Sequence, residues 1–142
     1  MKQVQLAMSI EQANVVKNAL DLYFQIGSGQ LEEIEVVLKE QLGFDRKRDL
    51  LEGESDRINW LNFNNDIQFA KFELGLSRNA SYGIGSPKLT ISTQRSYEIY
   101  KALAFALAMD KDPNPAFKTT DYDAVIVKYT NDPIPIVNII SS

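Results

Sequence analysis

The stretches "YDAVIVKYT" (122–130) and "IPIVNII" (134–140), joined through "TNDP" (130–133), decide the fold class of this chain. Both alternate or run apolar over strand-like lengths, with a proline-containing turn between them, which is the pattern of two paired β-strands. At the other end "KQVQLAM" (2–8) has the same period. Val4, Leu6 and Met8 point one way, and Lys2, Gln3 and Gln5 are polar. The intervening sequence reads as helix. Strand, helices, then two strands implies an α+β domain, with three to four helices packed on a small, mainly antiparallel sheet. At 142 residues the chain is expected to form one globular domain, 1–142. A three-stranded sheet leaves apolar edges, and pairing across a homo-oligomer would cover them.

The helices have readable ends. Ser9 with Gln12 matches a capping box, in which each side chain satisfies a free backbone N–H. Ile10, Ala13, Val16, Leu20, Tyr23 and Phe24 follow at helical spacing. "GSG" (27–29) predicts a left-handed C-terminal glycine. A second helix is predicted over 30–42, with Glu32 and Glu33 in its first turn and Lys39 in its last. The charged run 45–57 reads as a loop or short helical turn. Residues 58–76 read as a helix capped by Ser55 or Asp56, although their aromatics and asparagines also suit strands or turns. "STQRSYEIYKALAFALAMD" (92–110) is the clearest helix. Ser92 or Thr93 is its expected cap, and "DKDPNP" (110–115) stops it.

Composition narrows the chemistry. The chain has no cysteine and no histidine. Thiolate chemistry, disulfides and Ser-His-Asp catalysis are therefore excluded, and the commonest ligand for zinc, copper and iron is missing. Carboxylate, lysine, tyrosine, hydroxyl or magnesium chemistry is left. The formal net charge of −4 argues against a broad nucleic-acid footprint. The longest low-charge apolar run, "ALAFALAM" (102–109), is far short of the roughly 20 residues that span a bilayer. A cytoplasmic location with no membrane partner is the expectation.

The stretch richest in binding chemistry is "SYGIGSPK" (81–88). Its glycines, Gly83 and Gly85, allow backbone N–H groups close approach to a ligand, and successive N–H groups can form an anion nest. Ser81 and Ser86 add hydroxyls, and Tyr82 offers a stacking face. Arg78 and Lys88 flank the loop, and Arg95 lies in the first turn of the next helix, where anions are favoured. The same residue types also serve an ordinary turn, and their spacing is neither a Walker nor a Rossmann pattern. "IGSGQLEEI" (26–34) places glycines before a helix, but Glu32 and Glu33 would repel a phosphate there. Helix termination is the better reading, with Gln30 able to reach a ligand's sugar or base edge. "DRKRD" (45–49) is either a solvated loop or a lid over an anion. Asp121 and Asp123, at strand spacing, would face one side, but without the partners a magnesium site requires.

"ALDLYFQIGSGQLEEI" (19–34) followed by "SYGIGSPKLTISTQRSYEIYKALAFALAMD" (81–110) resembles a group of small bacteriophage proteins, over roughly half the chain. Those proteins share a D-L-Y-x-x-I-G-x-G-Q-x-E-E helix end, an S-Y-G-I-x-x-P loop and a following long helix. Their common D-E-P turn stands here as Asn131-Asp132-Pro133. By analogy of size, origin and pocket chemistry, the resemblance implies an anti-defence sponge, which binds a nucleotide immune signal without cleaving it. The expected ligand is a small anionic nucleotide of the cyclic dinucleotide or cyclic ADP-ribose type. Its expected contacts are Gln30, Arg78, Ser81, Tyr82, Gly83, Gly85, Ser86, Lys88 and Arg95, with no cofactor, no metal and no catalytic residue. A protein–protein inhibitor or adaptor acting on a host protein, or a metal-dependent nucleotide hydrolase, are the alternatives.

Overall fold

The helix signals in the sequence become helices, and the strand signals do not become strands. The computed structural model describes residues 1–42 and 58–141. Among these it contains four α-helices: α1 (Ile10–Gly27), α2 (Glu32–Gln41), α3 (Trp60–Glu73) and α4 (Ile91–Lys111), with a 3-10 turn at Thr120–Tyr122. The expected α+β fold is therefore incorrect: among the described residues there is no strand and no sheet, and the architecture is all-helical. Segments 2–8, 124–129 and 134–140 are non-helical, without the backbone ladder that defines a sheet. Pro133 and Pro135 supply no N–H for such a ladder. No helix is long and apolar enough to cross a membrane, among the described residues.

The chain divides into two compact units, residues 1–24 with 84–142, and residues 25–83. In the first, the Ser9 amide donates to Gln12 Oε1 (2.9 Å) and the Gln12 amide to Ser9 Oγ (3.2 Å), the capping box that starts α1. Helix α4 is capped by Thr90, whose Oγ1 accepts from the Thr93 amide at 3.2 Å. Ser92 and Thr93 lie just inside it, so the cap stands two residues before the earlier of its expected positions. Ala104 and Leu107 of α4 are buried, and the Phe24 ring lies 5.2 Å from Tyr97.

Two α4 side chains one turn apart hold the chain that follows. Glu98, itself buried, accepts from the amides of Tyr129 (2.7 Å) and Thr130 (2.9 Å) and from the Thr130 hydroxyl (2.7 Å). Arg95 forks onto both oxygens of Asp132. Residues 129–132 are thereby fixed to α4, and the extended segments on either side run along it.

In the second unit α1 ends as its glycines require. Gly29 has φ +87°, the left-handed region, and a Cβ there would come within 2.5 Å of Leu76. Helix α3 is capped by Asn59, whose side chain accepts from the Asn62 amide. The expected caps Ser55 and Asp56, like the charged run 45–57, lie outside the described residues. Lys71 of α3 has no exposed surface and pairs with Glu32 of α2 at 2.5 Å. Gln68 joins them, donating to Glu32 (3.0 Å) and to Asn79 Oδ1 (3.2 Å) while accepting from the Asn79 amide (3.0 Å). That pair of hydrogen bonds to one side chain holds Asn79 at φ 57°, a conformation asparagine tolerates better than most residues.

Candidate functional site

The predicted binding residues fall into both units. In residues 25–83 lie Gln30, Arg78, Ser81, Tyr82 and Gly83; in the other unit lie Gly85, Ser86, Lys88 and Arg95.

The first group begins where α1 ends. Ser28 is fully buried, and its hydroxyl donates to the Gln25 carbonyl at 2.8 Å. Its own carbonyl accepts the Tyr82 amide at 2.8 Å, so that amide serves the fold and is not offered to a ligand. The bond lays residues 81–83 beside the helix end. Gln30 Nε2 there donates to Ser81 Oγ at 3.4 Å, long enough to yield to a better acceptor. Tyr82 is half-buried, and its ring edge lies against Gly29. Arg78 is exposed, in the turn closed by the Ala80 amide and the Ser77 carbonyl. The unit thus presents an amide side chain, a hydroxyl, an aromatic ring and a guanidinium around one short loop.

Next to them in the same unit is the Glu32–Lys71–Gln68–Asn79 network, in which Lys71 and Gln68 are buried. Burial pushes the Glu32 carboxyl up, but the hydrogen bonds from Lys71 and Gln68 outweigh it and hold the carboxyl below the ordinary range. Glu32 is therefore a charged, occupied acceptor that braces the Asn79 turn beside Arg78. Sequence reading took Glu32 only as a helix-dipole residue. Lys71 gave no signal beyond its place on α3, since a lysine at helical spacing is usually solvated.

In the second group the residues have structural duties. A Cβ on Gly85 would lie 3.2 Å from the Tyr129 ring, a tight contact that the ring would have to relieve by a small shift; its φ is not in the left-handed region. Ser86 Oγ accepts the Lys88 amide at 3.3 Å, and the Ser86 carbonyl accepts the Leu89 amide, forming a turn into α4. Gln94 Nε2 donates to the Ile84 carbonyl at 3.2 Å. Arg95, expected to face an anion, is paired with Asp132; the pairing raises the arginine pKa and lowers that of the aspartate. Asp132 was legible only as part of a turn.

The carboxylates considered for metal chemistry are set apart by their local structure. Asp121 lies in the 3-10 turn and faces the Tyr100 hydroxyl at 3.4 Å, whereas Asp123 Oδ1 accepts the Val125 amide at 3.0 Å. Their expected common strand face does not form. Burial first, then Asp121, pushes the Asp21 carboxyl up. Burial, Asp21 and Asp121 together push the Tyr100 phenol up to about 12.

The chain matches no protein-family model, no curated protein and no solved structure.

Proposed function

We propose that this chain binds a small anionic, nucleotide-derived molecule and holds it without cleaving it, as a phage-type sponge for a cyclic dinucleotide or cyclic ADP-ribose signal. The observation that carries this reading is the grouping of Gln30, Ser81 and Tyr82 at the end of α1, with exposed Arg78 in the adjoining turn. A guanidinium and a weakly held hydroxyl–amide pair suit phosphate and sugar oxygens, and the tyrosine edge suits a base. The lack of histidine and cysteine fits sequestration better than turnover. Gly83 would give close access to the backbone. The expected contacts Gly85, Ser86, Lys88 and Arg95 belong to the other unit and are left out of this reading. The working form is a homo-oligomer in the host cytoplasm, with neither nucleic acid nor membrane as partner.

Calorimetric titration with cyclic dinucleotides and cyclic ADP-ribose isomers tests this. At about 100 μM protein, binding worth about 5 kcal/mol registers. One ligand of the panel is expected to bind, to be lost with Arg78→Ala and Gln30→Ala, and to be recovered chemically intact on denaturation. No heat across the panel removes the reading, and a cleaved ligand replaces it with hydrolysis.

A second reading, docking on a host protein, is favoured by one observation. Ile136 and Ile140 are 87% and 86% exposed on an extended segment. Recovery of a single host protein by the wild-type chain, undiminished by Arg78→Ala, would favour it.

A further inference from the structure

Unit 1 contains an apolar groove of about 500 Å³. Its floor is Ala102, Phe105, Ala106 and Met109, one stripe of α4 at helical spacing. Its walls come from the segments on either side of the 129–132 anchor that Arg95 and Glu98 fix in place: Ala124 and Ile126 before it, and Ile134, Pro135, Val137 and Ile139 after it. Asp110, at one end of the floor, is the charged residue among those lining the groove.

The same unit holds a segment with complementary chemistry. Val4 and Leu6 are 94% and 75% exposed in segment 2–8, which is neither helix nor strand and is free to extend on docking. In an extended chain Lys2, Val4 and Leu6 share one face. A cation followed by two aliphatic side chains matches a groove with one acid at the end of an aliphatic floor. The lengths also agree. From Lys2 to Leu6 an extended chain spans about 13 Å at about 3.3 Å per residue. From Asp110 back to Ala102 the helix spans about 12 Å at about 1.5 Å per residue.

We propose that this groove receives segment 2–8 of a second copy of the chain, with Lys2 at Asp110, Val4 over Phe105 and Met109, and Leu6 toward Ala102. The segment stands clear in its own chain, and the capping box at Ser9 fixes where it leaves α1. Exchange between two copies therefore changes neither helix, and a reciprocal exchange closes as a twofold dimer. Backbone groups along 136–139 can add strand-like hydrogen bonds to the incoming segment. This inference rests on the homo-oligomeric part of the proposed function and is independent of the ligand.

Carbodiimide coupling of mixed ¹⁴N- and ¹⁵N-labelled chains, read by mass spectrometry beside sedimentation equilibrium, tests it. The expected product is a Lys2–Asp110 peptide pair carrying one label from each chain. Leu6→Asp, whose side chain is exposed and outside any helix, is expected to weaken self-association about tenfold or more while helicity is retained. Lys2→Glu and Asp110→Lys should each weaken association, and the double variant should recover it. Couplings confined to one label would show the segment folding onto its own groove and overturn the proposal. Self-association unmoved by Leu6→Asp would also overturn it, leaving a homo-oligomer built through another face. A monomeric wild-type chain would overturn both this proposal and the oligomeric reading, without bearing on ligand binding.

Discussion

The Lys71 ammonium, with no exposed surface, lies 2.5 Å from the Glu32 carboxylate and ties α3 to α2. Such a pair contributes little net stability over a well-packed apolar pair, but breaking one side strands a charge. Lys71→Met is therefore expected to destabilise the chain by about 2–4 kcal/mol, the lower end reflecting the partial exposure of Glu32. Lys71→Met with Glu32→Gln should recover part of that loss, because the stranded charge is gone. Urea denaturation of the three variants measures both.

Glu98 and Arg95 hold the same stretch of chain with unequal force. Glu98 is buried and accepts three hydrogen bonds, so Glu98→Ala leaves the Tyr129 and Thr130 amides without their acceptor. A loss of about 2–3 kcal/mol is expected. The Arg95–Asp132 pair is roughly half exposed and screened by solvent, so Arg95→Ala should cost much less than Glu98→Ala. Hydrogen exchange at Tyr129 and Thr130 is expected to accelerate strongly in the first variant and slightly in the second.

Acid should destabilise the chain through Glu32 and Glu98. At Glu98 burial pushes the carboxyl up, but the Thr130 hydroxyl and the Tyr129 and Thr130 amides bring it below its ordinary value. A carboxyl with a lowered folded-state pKa contributes stability above its unfolded value of about 4.3, and that stability is lost as pH falls through the folded value. Asp21, raised by burial and Asp121, works in the opposite sense: protonating it on acidification relieves a cost. The unfolding free energy should therefore fall below about pH 4.3. Glu32→Gln should flatten that slope and Asp21→Asn should steepen it.

Alkali should act through Tyr100. Its phenol, pushed up to about 12 by burial and by Asp21 and Asp121, stays protonated in the folded chain while the unfolded chain ionises near 10. The stability this provides is complete below about pH 10 and is lost as pH rises toward 12. Absorbance near the phenolate band should show a late-titrating tyrosine component, and Tyr100→Phe should shrink it.

The helix signals were legible because they are local. A serine three residues before a glutamine caps α1, and a glycine forced into positive φ ends it, whatever the rest of the chain does. The strand signals misled. Val137 and Ile139 line the groove and Ile136 and Ile140 are exposed, but Ile134 and Pro135 both line it, and no strand forms among the described residues. What the alternation could not reveal is whether a partner strand exists, because a ladder needs a second backbone and its position is not written in the residues themselves. The same limit applied to the binding loop. Arg95 looked available until Asp132, 37 positions away, was seen to occupy it. Gly85 looked like an approach to a ligand until the Tyr129 ring was seen against it.

The grip on residues 129–132 comes from a single turn of α4, whereas residues 120–122 are held separately through Lys101 and Tyr122. A phosphate placed on Thr130, whose hydroxyl donates to Glu98, would set negative charge against a buried carboxylate and loosen residues 129–132 while the helix stayed wound. One small chemical mark there could free the apolar ribbon at this one anchor.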